Sequence, residues 1–218
     1  VCVHDRRLDR TSNGRGRVSA RTLAELEKLD FGSWHAGAAD NVASDVPSDP
    51  NRTRLLTLDR LLQEVRSAGR SVELLIETKH PTRYGGDVER KLVELLHRHG
   101  LANPTPDSPV RVTVMSFSPL AVRRMRELAP QIPTVMLLLE IFPRAIWNGR
   151  LPFGSRIAGP SINLVRARPQ LVSALRKAGN RVFVWTVNEP DDIDLVLRCG
   201  VDGIITDRPT AVLHRLGR

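Results

Sequence analysis

The chain is poor in aromatic residues and in cysteine, and it has no long apolar run. Only nine of its 218 residues are Phe, Trp or Tyr, and no basic patch is interleaved with them, which argues against a nucleic-acid binder. Cys2 and Cys199 lie far apart and lack metal-ligand spacing, so neither a disulfide scaffold nor a zinc site is expected, and a reducing compartment is compatible. No stretch of about 18 apolar residues occurs, so no membrane-spanning helix is expected. The amino terminus has no charged start, apolar stretch and small-residue cleavage site of a signal peptide, and a cytoplasmic location is the working expectation. Acidic residues are outnumbered, 24 against 33 Lys and Arg, for a formal charge of +9. The excess is nearly all arginine, spread from Arg6 to Arg218, and reads as a solvated surface that also favours phosphate-bearing ligands. The chain starts at Val1 without a methionine, inside an apolar run, which suggests an upstream piece.

What is present is organised around Val72 to Lys79, V-E-L-L-I-E-T-K. Side chains alternate along a strand, so Leu75, Glu77 and Lys79 point one way and Leu74, Ile76 and Thr78 the other. An acid and a base thus share one face at the C-terminal end of an apolar strand, which is where an α/β barrel places its chemistry. The plainer reading is a strand end whose charges reach solvent.

Before this stretch, Val1 to Val3 read as the end of a strand, followed at once by His4 and Asp5. Arg6 to Arg17 is polar, with a turn expected at Asn13-Gly14. Thr22-Leu-Ala-Glu25 fits a capping box. Residues 36–54 carry no apolar period and read as an irregular excursion, and Thr57 opens a helix that Gly69 ends. After it, helices are expected over about 87–99, 119–128, 169–178 and 210–216, with another after Asn188. Strands are expected over 110–117, 134–139, 157–164, 181–187 and 201–206. This βα alternation calls for parallel strands with helical crossovers. An α/β barrel is preferred, and a doubly wound sheet is the alternative, although no Gly-rich phosphate turn follows any strand. Six strands are counted from Val72 onward, and 218 residues are short for a full barrel of roughly 250.

Polar residues at the strand ends are His4, Glu77, Lys79, Ser116, Trp185, Asn188 and Asp207. Glu77 is a hard oxygen ligand suited to Mg or Ca, Lys79 a point charge for a phosphate oxygen, and His4 a general acid or base. Together they suit metal-assisted phosphoryl transfer. Each has a plainer counterpart. Trp185 alternates with Phe183 and reads equally as barrel core, while Asn188 and Asp207 read first as helix caps.

Six segments occur in a fixed order: V-C-V-H-D-R-R-L-D-R-T-S-N-G-R-G, T-L-A-E-L-E-K-L-D-F-G-S-W, L-L-I-E-T-K, V-M-S-F, V-F-V-W-T-V-N and V-D-G-I-I-T-D-R-P. In that order they resemble the glycerophosphodiester phosphodiesterase family over nearly the whole chain. The resemblance implies a TIM (β/α)8-type barrel and hydrolysis of glycerophosphodiesters to glycerol 3-phosphate and an alcohol, with a divalent cation, Mg or Ca. It implies His4 as one of two catalytic histidines, Glu77 as a metal ligand, Lys79 as a phosphate-holding group and Trp185 as part of the substrate pocket wall. Attack by the glycerol hydroxyl and attack by water are both compatible with it. The family's His-Arg-Gly strand, its Pro-Glu-Asn helix start and its Glu and Asp metal ligands are not found here. The expectation is therefore one phosphodiesterase domain over 1–218, lacking the first strands and first helix of the barrel. Two other functions are compatible with the residues. One is a silent barrel remnant that binds a phosphodiester or a partner chain, and the other is nucleic-acid binding through the arginines.

Overall fold

The computed structural model describes residues 1–32, 53–105, 107–140 and 148–218. The chain divides into two compact units, Val1–Gly69 and Arg70–Arg218. Most of the excursion expected over 36–54, and Trp147, lie outside the described residues.

The first unit packs around Leu8, Leu26 and Leu55, with Val3, Val18, Leu29 and Phe31 against them. Helix α1 (Leu23–Leu26) starts in the expected capping box: the Thr22 hydroxyl accepts from the Glu25 amide and Glu25 reaches back to the Thr22 amide. Helix α2 (Leu58–Ser67) is capped by Thr57, and Gly69 follows it with φ +64°. The arginine-rich segment is more ordered than a solvated loop. Leu8 donates its amide to the Gly16 carbonyl and is fully buried, so the polar run folds over its own apolar anchor. Val1 to Val3 form no strand. Within this unit the Cys2 amide donates to the Leu56 carbonyl, and a single bond makes no ladder.

The second unit is built on six parallel strands in sequential order: β1 (Val72–Glu77), β2 (Val110–Ser116), β3 (Thr134–Leu138), β4 (Ile157–Pro160), β5 (Arg181–Val184) and β6 (Gly203–Ile204). The sheet curls into half of a barrel. One face gathers Leu75, Met115, Phe117, Val135, Leu137, Ile157, Phe183, Trp185 and Ile205 in a single cluster, as the concave side of a barrel requires. The alternate residues, Met136, Leu138, Ala158, Val182 and Val184, pack outward against the helices. Those helices are α3 (Asp87–Arg98), α4 (Pro119–Leu128), α5 (Ile162–Ala167), α6 (Gln170–Lys177), α7 (Pro190–Cys199) and α8 (Pro209–Arg215).

Three further expectations need correction. The strand expected over 157–164 stops at Pro160, because the Ser161 hydroxyl accepts from the Leu164 amide and starts α5. Asn188 does not cap α7, whose cap position is Glu189. Its side chain instead donates to Asp207 at 2.8 Å and accepts from the Thr206 hydroxyl and the Asp207 amide, tying the end of β5 to the end of β6. Asp207 is accordingly a partner of Asn188, and the cap position of α8 is Arg208.

The C-terminal end of β1 is pinned from β2. The buried Ser116 hydroxyl donates to the Thr78 carbonyl at 2.8 Å and accepts from the Ser118 amide at 3.2 Å, while the Thr78 amide donates to the Met115 carbonyl. Ser116→Ala leaves a buried carbonyl and an amide short of a partner. We expect it to destabilise the chain by about 1–3 kcal/mol, read as a lower urea midpoint at unchanged m-value.

Candidate active site

Glu77 and Lys79 flank this pinned residue. Because Thr78 is held from β2, its two neighbours are directed to the concave face with Leu75. The Lys79 ammonium lies 2.8 Å from Glu77 Oε2. The other carboxylate oxygen, Oε1, is buried and has no hydrogen-bond partner. A buried carboxylate oxygen without a partner is costly in a native fold. The shared face expected from the alternation is therefore present as a contact.

Trp185 sits just past β5 on the same concave face. Its indole N–H donates to the Gly159 carbonyl at 2.6 Å, and its ring meets that of Phe117 edge-on, with centroids 5.1 Å apart at 89°. Gly159 is needed on this face, since a Cβ there would fall 2.7 Å from Leu137 Cδ2. Trp185 is only partly buried. It is thus a rim wall as well as a member of the barrel core, and it carries an apolar face with its polar tip satisfied.

His4 belongs to the first unit, and its side chain is 74% exposed. Its Nδ1 donates to Asp5 Oδ1 at 2.7 Å, and Asp5 in turn accepts two bonds from the Arg10 guanidinium, each 2.7 Å long. With Nδ1 engaged, Nε2 is left as the nitrogen that can exchange a proton. The Arg10 guanidinium, with His4 second, holds the Asp5 carboxyl well below the usual carboxylate range. The folded value lies below the unfolded one of about 3.9, so the contribution of this pairing is present above that pH. It is lost only as pH falls through the lower folded value.

Two further rim residues were missed in the sequence. Glu140 follows β3 and accepts from the Ser161 hydroxyl at 2.7 Å, which lowers its carboxyl below the ordinary range. The signal was available, since T-V-M-L-L-L-E repeats the pattern of V-E-L-L-I-E, an apolar strand that ends in an acid. Glu89 on α3 is fully buried and joins His80 to Arg124. Among the described residues, no group of three or more His, Cys, Asp or Glu gathers as a metal cage. No helix among them is long and apolar enough to cross a membrane.

A family model described as the glycerophosphoryl diester phosphodiesterase family matches residues 1–211. The chain is 45% identical over 210 residues to a Mycobacterium tuberculosis protein named probable glycerophosphodiester phosphodiesterase 1, covering 96% of this chain and 74% of that one. It is 32% identical over 212 residues to a glycerophosphodiester phosphodiesterase of Bacillus subtilis, covering 96% and 69%. Among solved structures it resembles an Oleispira antarctica phosphodiesterase in complex with the product sn-glycerol-3-phosphate, with a TM-score of 0.77 at 20% identity over 99% of this chain and 78% of that one. A glycerophosphodiester phosphodiesterase from Parabacteroides distasonis gives a TM-score of 0.72 at 20% identity, over 99% and 76%. At such identities the likeness is one of fold.

Proposed function

The chain belongs to the glycerophosphodiester phosphodiesterase family, and from that premise we propose that it hydrolyses glycerophosphodiesters to glycerol 3-phosphate and an alcohol. The observation that carries the site assignment is the orphaned Glu77 Oε1 beside Lys79 on the concave face. One water is consumed: its oxygen ends on phosphorus, the phosphorus–oxygen bond to the alcohol breaks, the phosphoryl group stays with glycerol, and the departing alkoxide takes up a proton.

Each residue has a role in this reading. Lys79 holds a non-bridging phosphate oxygen as a point charge, and the carboxylate beside it keeps the ammonium in place. The Trp185 and Phe117 rings form the wall against the carbon skeleton of the substrate. His4 moves the proton, with Asp5 holding its tautomer and orientation as a positioning residue.

A divalent cation, Mg or Ca, is what the family resemblance adds. Glu77 Oε1 fits one ligand position, being a hard oxygen that is buried and without a partner. Such cations take about six or more oxygens, and the described residues do not assemble that set. When bound, the cation would neutralise charge on the phosphoryl oxygens.

Asp5→Asn is expected to lower kcat/KM for glycerophosphocholine by about 10- to 100-fold, as loss of a group that orients a reacting imidazole does. The shape of the pH–rate profile should change, and the unfolding midpoint near neutral pH should fall slightly, because the Asp5 pairing contributes there. Release of glycerol 3-phosphate from glycerophosphocholine, followed by a coupled dehydrogenase with Mg or Ca present, tests the functional reading. Metal-supported release that is lost in Glu77→Gln is expected. Retention of the diester without turnover under every condition would instead favour a silent barrel that only binds.

A further inference from the structure

The loop from β1 to α3 and the start of α4 border a cleft of about 410 Å³ at the C-terminal end of the strands, lined by His80, Thr82, Phe117, Ser118, Leu120 and Arg124. This volume falls within the range of about 300–1,000 Å³ usual for small-molecule sites. The floor is a built polar cluster. Glu89 is fully buried and accepts from His80 Nε2 at 2.6 Å and from Arg124 Nη1 at 3.4 Å. The His80 side chain is 10% exposed and that of Arg124 34%. Gly86 makes this placement of the arginine possible, because a Cβ there would stand 2.8 Å from Arg124 Nε and 2.9 Å from its Cδ.

A buried carboxylate needs a partner, and His80 alone would supply one. Arg124 adds a second cationic group through a single long bond, so most of its five N–H donors remain for another acceptor. The cleft also adjoins the proposed active site. Phe117 lines it and packs against Trp185, and His80 follows Lys79 directly in the chain. A diester whose phosphate lies at Lys79 has two organic arms. The concave barrel face accounts for one of them, and the other needs room outside it.

Resting on the phosphodiesterase reading, we infer that this cleft is the subsite for the leaving alcohol, and that Arg124 selects alcohols bearing their own anion, a second phosphate or a carboxylate. The test compares kcat/KM for three glycerophosphodiesters, whose alcohols are choline, glycerate and glycerol phosphate. The wild-type chain should favour the two anionic alcohols. Arg124→Gln should lower kcat/KM for both by about 10- to 100-fold, the range of a charge-assisted hydrogen bond, and leave the choline diester within about twofold.

Leu120→Glu guards against loss of folding. Leu120 is 53% exposed on the first turn of α4, where an acidic residue suits the helix dipole. It should cut only the anionic diesters, by about 5- to 10-fold, as a like charge placed at the mouth of the cleft does. The larger Arg124 effect between phosphate and carboxylate identifies the source of the anion. Equal losses on all three substrates make Arg124 a structural partner of Glu89 and overturn the inference, as does a wild-type preference for choline. If choline diester is hydrolysed without selectivity, the functional reading stands and the subsite falls. If none of the three is hydrolysed, both fall.

Discussion

Glu77→Gln should lower kcat/KM for glycerophosphocholine about 10³-fold, the size of loss seen when a preorganised electrostatic group is removed, and leave the unfolding midpoint nearly unchanged. The substitution keeps the shape of the side chain and removes its charge, so packing on the concave face is preserved. The outcome separates two accounts of the Glu77–Lys79 pair. Lys79 is partly exposed, and a pair that only completes a strand end is worth about 0–1 kcal/mol. In that case neither Glu77→Gln nor Lys79→Met would change activity by more than a few-fold. If instead both groups face the substrate, each single variant loses most of the activity. The double variant then loses little more than the worse single one, as residues that act as a unit do.

His4→Ala should lower kcat/KM by about 10²- to 10⁴-fold, the usual contribution of a positioned acid or base. The side chain is largely exposed, so thermal stability should hold. The informative readout is the pH dependence of kcat/KM, in which the limb that belongs to the imidazole disappears in the variant. An unchanged profile with a uniformly lower rate would give His4 a binding role and remove it from proton transfer.

The parts of the fold that could be read in the sequence were those set by local chemistry. The capping box at Thr22 and the helix start at Thr57 lie where the sequence placed them, and α4 begins at Pro119 as expected. The strand V-E-L-L-I-E shows its polar end directly, so the contact between Glu77 and Lys79 followed from alternation alone, although the strand expected to be buried on both sides is only partly so. What could not be read depends on neighbours distant in the chain. The Asn188 link to Thr206 and Asp207 forms only because β5 and β6 lie side by side. The buried state of Glu89 exists only because His80 arrives from the loop after β1 and Arg124 from α4. Ser161 was hidden for a different reason: I-A-G-P-S-I-N-L continues an apolar run, and the helix that the serine starts has the same apolar content as a strand would have.

The measurement that bears most directly on the proposed reaction is a 31P NMR time course of the chain with glycerophosphocholine and Mg or Ca. The expected result is loss of the diester signal matched by growth of a single monoester signal, that of glycerol 3-phosphate, and no such growth with Glu77→Gln. Growth of phosphocholine would mean that the other phosphorus–oxygen bond breaks. Either that growth, or a diester signal that never declines with either metal, is the result that would contradict the proposed reaction.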